Sequence, residues 1–321
     1  MINSNGSNDS NDSNDSNDSN DSRIERFGCG DSYLIKDIIT DKKLCDDIFY
    51  ILRDNEVNWE RIEHKGGSLP REISTQVEYY CTIHNNDNCQ LNDSCCNCEP
   101  IYRHPVDYET KLTQYTPSVK CIRDHIVTLL NQKKIFQDIR FNHSLIQWYR
   151  SGNDYIGDHC DKTLDIKRNS MILNYSLGAT RVLTLRSKKD TSSQSGERRD
   201  IQKIELPHNS LFILGPCTNK EYTHGIRPDK RSERDKSNDS KLYEGQRISL
   251  TFRNIATYRE LQHGRLFGQG AINKDLSTNE MKGLDDDLEK LLQAFSAENR
   301  NHDFEWQQYY TKGFDITCFS S

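Results

Sequence analysis

Between Phe141 and Arg253 the chain is written as short β-forming runs separated by loops rich in Gly, Asn, Asp and Pro. The runs are 144–148, 170–175, 181–185, 201–206, 210–214 and 247–252. Strands this short and this closely spaced bury their apolar faces by closing into a barrel or by stacking as a double-sheet jelly roll. Two stretches that precede these runs have helical spacing instead. Ile48, Phe49, Ile51 and Leu52 recur between Asp46 and Val57, and Val119, Ile122, Ile126, Leu129 and Leu130 recur from Ser118 to Leu130, with Pro117 near the first turn. The expected class is α+β: a double-stranded β-helix (jelly-roll) core with flanking helices and a mouth in which ligands can be placed.

The rest of the chain divides around this core. From Asn3 to Arg23 there is no apolar residue, only a repeat of Ser, Asn and Asp, so burial cannot offset chain entropy and residues 1–23 read as a disordered tail. Residues 24–65 read as a helical lead-in, 66–260 as the principal domain with a Cys-rich insert at 81–98, and 261–321 as an extension. The extension has a helical pattern at Leu288, Leu291, Leu292 and Phe295, and its aromatic cluster, with Trp306, is expected to pack back on the core. Segments 186–203 and 228–243 read as solvated, modestly basic loops.

No apolar run is long enough to span a bilayer, so no membrane association is expected. The net charge of −6 argues against nonspecific wrapping of nucleic acid over the whole surface. Eleven cysteines without a secretion signal suggest a reduced, intracellular setting, nucleus or cytoplasm. The chain is expected to be a monomer.

His159-Cys160-Asp161 puts two donors at i and i+2, on one side of an extended segment. His224, after the run 210–214, can reach the same face from a neighbouring strand. Two imidazoles and one carboxylate make a facial triad, which on Fe(II) leaves open positions for a bidentate keto acid and dioxygen. His-x-Asp alone arises often by chance. Arg247 and Arg253 lie an even number of residues apart on one strand, so both guanidinium groups face one side and can clamp a dicarboxylate.

The order Tyr149, Gly152, His159-x-Asp161, Ser176-Leu177-Gly178, His224 and Arg247-x-Ser249-x-Thr251-x-Arg253 resembles the AlkB-like branch of the 2-oxoglutarate/Fe(II) dioxygenases. The phrases 101–105, 161–166, 206–210 and 267–271 are similar to a fungal-type subfamily. The resemblance implies an oxidoreductase that hydroxylates or demethylates its substrate. His159, Asp161 and His224 would hold the iron and be catalytic; Tyr149 and Arg247 would meet the distal carboxylate of 2-oxoglutarate, and Arg253 the carboxylate near the metal. Gln147 and Ser249 stand where relatives often carry Asn around this clamp. Arg181 reads as a structural partner of the site.

Nucleic acid, DNA or RNA, or a modified base, is the leading substrate class on this resemblance. The segment 66–80 with Arg71 resembles a substrate-facing lid, and Tyr79, Tyr80 or Tyr102 could stack on a base. Thr163 occupies a position that is often acidic in nucleobase-repairing relatives, with Asp165 nearby as a substitute. Lys188, Lys189, Arg198 and Arg199 in one loop, and Lys230, Arg231 and Arg234 in the other, could contact phosphates. The alternatives are an oxygenase of protein or small-molecule substrates, and a catalytically silent binding module. Cys81, His84, Cys89, Cys95, Cys96 and Cys98 could build a structural zinc site that stiffens the lid, or form a plain loop.

Overall fold

Arg247–Arg253 is buried along its whole length, and its alternation separates two interiors. Ile248, Leu250 and Phe252 join one apolar cluster, while Arg247, Ser249, Thr251 and Arg253 point to the opposite side. The computed structural model describes residues 24–64, 67–80, 97–105, 111–133, 140–189, 199–276 and 285–317. The Ser-Asn-Asp repeat and residues 81–96 of the Cys-rich insert lie outside the described residues, as does Arg198.

In chain order the strands are β1 (Ile24–Phe27), β2 (Ser32–Lys36), β3 (Glu63–His64), β4 (Gly67–Ser68), β5 (Glu72–Val77), β6 (Cys98–Pro100), β7 (Leu112–Gln114), β8 (His143–Tyr149), β9 (Ile156–His159), β10 (Ile172–Gly178), β11 (Arg181–Ser187), β12 (Ile201–Leu206), β13 (Ser210–Leu214), β14 (Tyr222–Ile226), β15 (Arg247–Arg253), β16 (Thr257–Glu260) and β17 (Leu266–Gly268). The helices are α1 (Lys42–Ile51), α2 (Pro117–Gln132), α3 (Pro216–Glu221), α4 (Asn238–Lys241), α5 (Asp285–Arg300) and α6 (Trp306–Tyr310).

An eight-stranded sheet runs β1-β2-β13-β10-β15-β8-β5-β7, and a four-stranded sheet runs β12-β11-β14-β9. Their inner faces meet in one cluster, where Leu34, Ile172, Phe212 and Leu214 of the larger sheet pack with Leu183, Leu185, Ile204, Leu206 and Ile226 of the smaller. The outward residues Val182 and Ile201 of the smaller sheet reach solvent. The chain is thus mixed α and β with extensive sheets. The helices are distributed unevenly. α1 and α2 both lie on the far face of the larger sheet, where Phe49, Ile122 and Ile126 pack on Tyr175, Leu250 and Phe252.

Local chemistry explains these boundaries. Asp41 caps α1 by accepting from Leu44 N–H at 3.1 Å, and the helix continues into a π-helical turn at Leu52–Glu56. That turn presents Glu56 to the start of α2, where its carboxylate accepts from Ser118 N–H at 3.0 Å, a favourable charge for a helix N-terminus. The expected strands from Ser144, Ile201, Ser210 and Arg247 appear with small shifts at their ends, while β1, β2, β5, β9 and β14 had no clear period-two signature. The basic segment 228–243 contains α4 and runs into a 3-10 turn at Leu242–Gly245.

The C-terminal residues return to the core through α5 and α6. Leu291, Phe295, Phe304, Tyr310 and Phe314 enclose Leu164, which follows the Asp161 segment. Beside it Arg103 and Asp165 form a buried ion pair with NH2···Oδ1 at 2.6 Å, and Arg103 also donates to the carbonyls of Gly270 and Phe314. Asp165, offered by the sequence as a substitute acidic group, is fully buried and held by Arg103. Removing one partner of such a pair costs roughly 3–5 kcal/mol because the other charge stays buried.

Candidate active site

Antiparallel pairing of β9 and β14 sets His159 directly opposite His224. Asp161, two residues past His159, turns its Oδ1 to 3.7 Å from His159 Nε2 and 3.9 Å from His224 Nε2. All three donor atoms lie within 4.8 Å of one another. The first two ligand candidates are thus set by local spacing, and the third by strand register.

Hydrogen bonds orient the group. Asn219 on α3 brackets the Asp161 backbone, accepting from its N–H at 3.0 Å and donating to its carbonyl at 2.9 Å. His159 Nδ1 lies 2.8 Å from the Gly157 carbonyl, a contact that suits the Nδ1–H tautomer and leaves Nε2 free to coordinate. Burial lowers the pKa of both imidazoles, that of His224 to about 3, so both are neutral donors near neutral pH. Burial alone would raise the Asp161 carboxyl, but the Arg253 guanidinium, aided by the two histidines, outweighs it and holds the group well below the usual carboxylate range. Arg253 donates to Asp161 Oδ2 from Nε at 3.0 Å and from NH2 at 2.8 Å, and lies over the Tyr102 ring. Its observed contact is therefore the carboxylate of the triad, with Oδ1 turned toward the histidines.

Behind the triad a small chamber between the sheets is lined by His159, Asp161, His224, Gln147, Tyr149, Asn174, Thr251 and Arg253, with Arg247 among its walls. Arg247 is fully buried, and burial lowers its pKa to about 10, still high enough to keep it charged at neutral pH. NH2 donates to Asn174 Oδ1 at 3.0 Å and Ser176 Oγ at 2.8 Å, while Nε and NH1 meet no acceptor at hydrogen-bond geometry among the described residues. Tyr149 stacks beside it, 5.2 Å from ring centroid to guanidinium, and Arg181 lies by the same ring. Arg181 spends its donors on the carbonyls of Ser151, Gly152, Asp154 and Arg227, a scaffold contact. Ser249 is buried with its hydroxyl unsatisfied. A buried cation with two idle donors and only neutral acceptors suits an incoming carboxylate.

In front of the triad a larger cavity of about 680 Å³ opens outward. Arg71, Tyr102, His104, Gln147, Tyr155 and Lys162 line it, joined by Leu292, Phe295, Ser296, Asn299 and Arg300 of α5. With the Gln147 amide turned to satisfy its neighbours, its oxygen accepts from Arg71 Nε at 2.8 Å. Tyr79 and Tyr80 are not among the described residues that line it; the Tyr80 ring packs on Tyr258 at 5.0 Å. Tyr102 takes a hydrogen bond from Lys162 N–H at 3.1 Å and supports Arg253. Thr163 is not among the described residues that line the cavity, and both its hydroxyl and its N–H, the latter at 2.9 Å, donate to Glu298 of α5. Of the loop cations, Lys188 is buried and donates to the Glu298 carbonyl, and Arg231 is paired with Asp229 at 2.8 Å; Lys189, Arg199, Lys230 and Arg234 are exposed.

Sequence reasoning missed Asn174, Asn219, Tyr155 and the α5 wall. Asn174 carried a usable signal: on β10 it faces the same interior as Ser176, two residues on. Asn219 carried none, because its partner is 58 residues away.

Residues 31–253 match the model of a family described as the 2OG-Fe(II) oxygenase superfamily. Among curated proteins, DNA oxidative demethylase ALKBH2 of Mus musculus is 27% identical over 141 residues, covering 44% of this chain and 52% of that protein. The Arabidopsis thaliana protein of the same name is 29% identical over 137 residues, 38% of this chain and 40% of its own length. Alpha-ketoglutarate-dependent dioxygenase alkB homolog 3 of Bos taurus is 27% identical over 135 residues, covering 41% and 43%. The chain spans about half the length, or less, of these curated relatives. No helix among the described residues is long and apolar enough to cross a membrane.

Proposed function

This chain belongs to the 2OG-Fe(II) oxygenase superfamily, and we propose that it is an AlkB-like dioxygenase that oxidatively demethylates nucleic acid or a modified base. The observation that carries the reading is the chamber between the sheets. Its lining includes a two-histidine, one-carboxylate donor set and a buried arginine without a counter-charge. The same pairing of sheets supports a jelly-roll core.

The residues fit the cofactors the family implies. His159 Nε2, His224 Nε2 and Asp161 Oδ1 would hold Fe(II), and Arg247 with Tyr149 would take the far carboxylate of 2-oxoglutarate. Iron bound with 2-oxoglutarate supplies, on reaction with dioxygen, the oxidising power to hydroxylate a C–H bond, with release of succinate and carbon dioxide. Arg253 keeps Asp161 ionised and fixes its orientation. The imidazoles stay neutral and keep their Nε2 lone pairs. The apolar walls at Ile172, Leu183, Phe212, Leu214 and Ile226 exclude bulk water from the chamber.

For the substrate, the outer cavity carries one exposed cation, Arg300, beside Tyr155, which is 42% exposed, a surface suited to a planar base joined to phosphate; Arg71 and Lys162 are buried in its wall, bonded to Gln147 and Tyr155 and to Cys160 and Asn299. The similarity to proteins named DNA oxidative demethylase ALKBH2 supports the same reading. The test is succinate formation by the purified iron-loaded chain offered methylated oligonucleotides, peptides and small metabolites. Turnover above the uncoupled rate with methylated oligonucleotides is expected. Stimulation only by peptides or metabolites would replace nucleic acid with the protein or small-molecule reading.

A further inference from the structure

A second cluster of metal-ligating side chains lies outside the chamber, where the turn between β1 and β2 meets α3. Cys29 of the turn and Cys217 and Glu221 of α3 bring two sulfurs and a carboxylate oxygen within 4.8 Å of one another. Cys29 Sγ is 3.3 Å from Glu221 Oε2, and Cys217 Sγ is 3.6 Å from Glu221 Oε1. Both cysteines are exposed, free thiols.

The backbone holds these donors in place. Cys217 and Glu221 stand one helical turn apart and so share a face of α3. Cys29 N–H donates to Thr218 Oγ1 at 3.0 Å, Gly28 N–H donates to Gln202 Oε1 at 2.8 Å, and Cys217 N–H donates to Asp31 Oδ2 at 2.8 Å. Gly28 has φ +60°, and a Cβ there would fall 2.2 Å from Thr218 Oγ1, so the turn is pressed against the helix. Three potentially anionic groups from segments far apart in sequence are thereby crowded together.

We propose that Cys29, Cys217 and Glu221 form a binding site for a thiophilic divalent cation of the zinc class, with water completing the tetrahedron. Two thiolates select a soft metal over a hard one such as magnesium, and one carboxylate brings the donor charge to −3. The Cys29 thiol is pushed above its ordinary value by burial and by its hydrogen bonds to Cys217 and Glu221, and a cation relieves that crowding when the protons leave. The ion would pin the β1–β2 turn to α3, the helix whose Asn219 brackets Asp161. It is separate from the triad, which contains no sulfur.

The test is anaerobic titration of the full, reduced chain with Co(II), following thiolate-to-cobalt charge-transfer absorption, and then displacement by Zn(II). Ligation by the triad gives no such band. A component saturating near one equivalent, present in the parent and lost in C29S/C217S, is expected. E221Q, which changes only an exposed carboxylate, should weaken Zn(II) binding by at least about tenfold, the lower end of what even an outer-shell change costs. Sulfur ligation by residues 81–98 would survive C29S/C217S, so the difference between the two proteins isolates this site. Identical titrations for parent and C29S/C217S would overturn the proposal. So would an E221Q affinity equal to the parent's, or a Cys29–Cys217 disulfide whose reduction yields no metal binding.

Discussion

Arg247 gives the residue-scale test of the chamber. Its burial with two idle donors disfavours the fold, so Arg247→Met should leave thermal stability unchanged or raise it, as replacing buried charge by an apolar side chain often does. The same change should abolish the rise in melting temperature that 2-oxoglutarate gives the parent protein. A preserved ligand-induced shift would remove Arg247 from the clamp. Asn219→Ala tests positioning: loss of its two hydrogen bonds to Asp161 should weaken Fe(II) binding about 10- to 100-fold with the fold retained. Calorimetry showing parent-like affinity would contradict that role. That His159 and Asp161 share a side, and Arg247 and Arg253 another, was legible because i,i+2 spacing and strand alternation are local facts; that Arg253 bonds Asp161 was not. Asn219 was not, since only the folded chain brings it to Asp161.

At the scale of elements, α5 lies next to the site. Glu298 accepts from Thr163 N–H at 2.9 Å and from the Tyr310 hydroxyl at 2.7 Å, and burial raises its pKa. Between the ordinary and the raised value the folded chain binds more protons than the unfolded one, so stability falls as pH rises through that window. Glu298→Gln keeps the acceptor for Thr163 and removes the titration. The stability of the variant relative to the parent should therefore increase as pH rises above the ordinary carboxyl range, measured by urea unfolding. A difference independent of pH would show that Glu298 does not titrate in this range. The helical period of α5 could be read from Leu288, Leu291, Leu292 and Phe295. That its Phe295, Ser296, Asn299 and Arg300 face the outer cavity could not, because docking depends on Leu164 and the aromatic cluster far away in sequence.

Across the whole molecule, the strand runs announced extensive sheets, but not which strands are neighbours. The larger sheet interleaves β2, β13, β10 and β15, pairings set by tertiary packing rather than by any local pattern. Its inner face supplies the arginines, the smaller sheet supplies both histidines, and the cavity in front of them is walled partly by α5. The most direct measurement is anaerobic titration of the full chain with Fe(II) and 2-oxoglutarate, following the visible charge-transfer absorption of a keto acid chelated to Fe(II). The band should saturate at about one iron and one 2-oxoglutarate per chain and be lost in His159→Ala, because two remaining ligands do not enforce the triad. No band in the parent protein, or an undiminished band in His159→Ala, would contradict the assignment of this chamber as the iron and 2-oxoglutarate site.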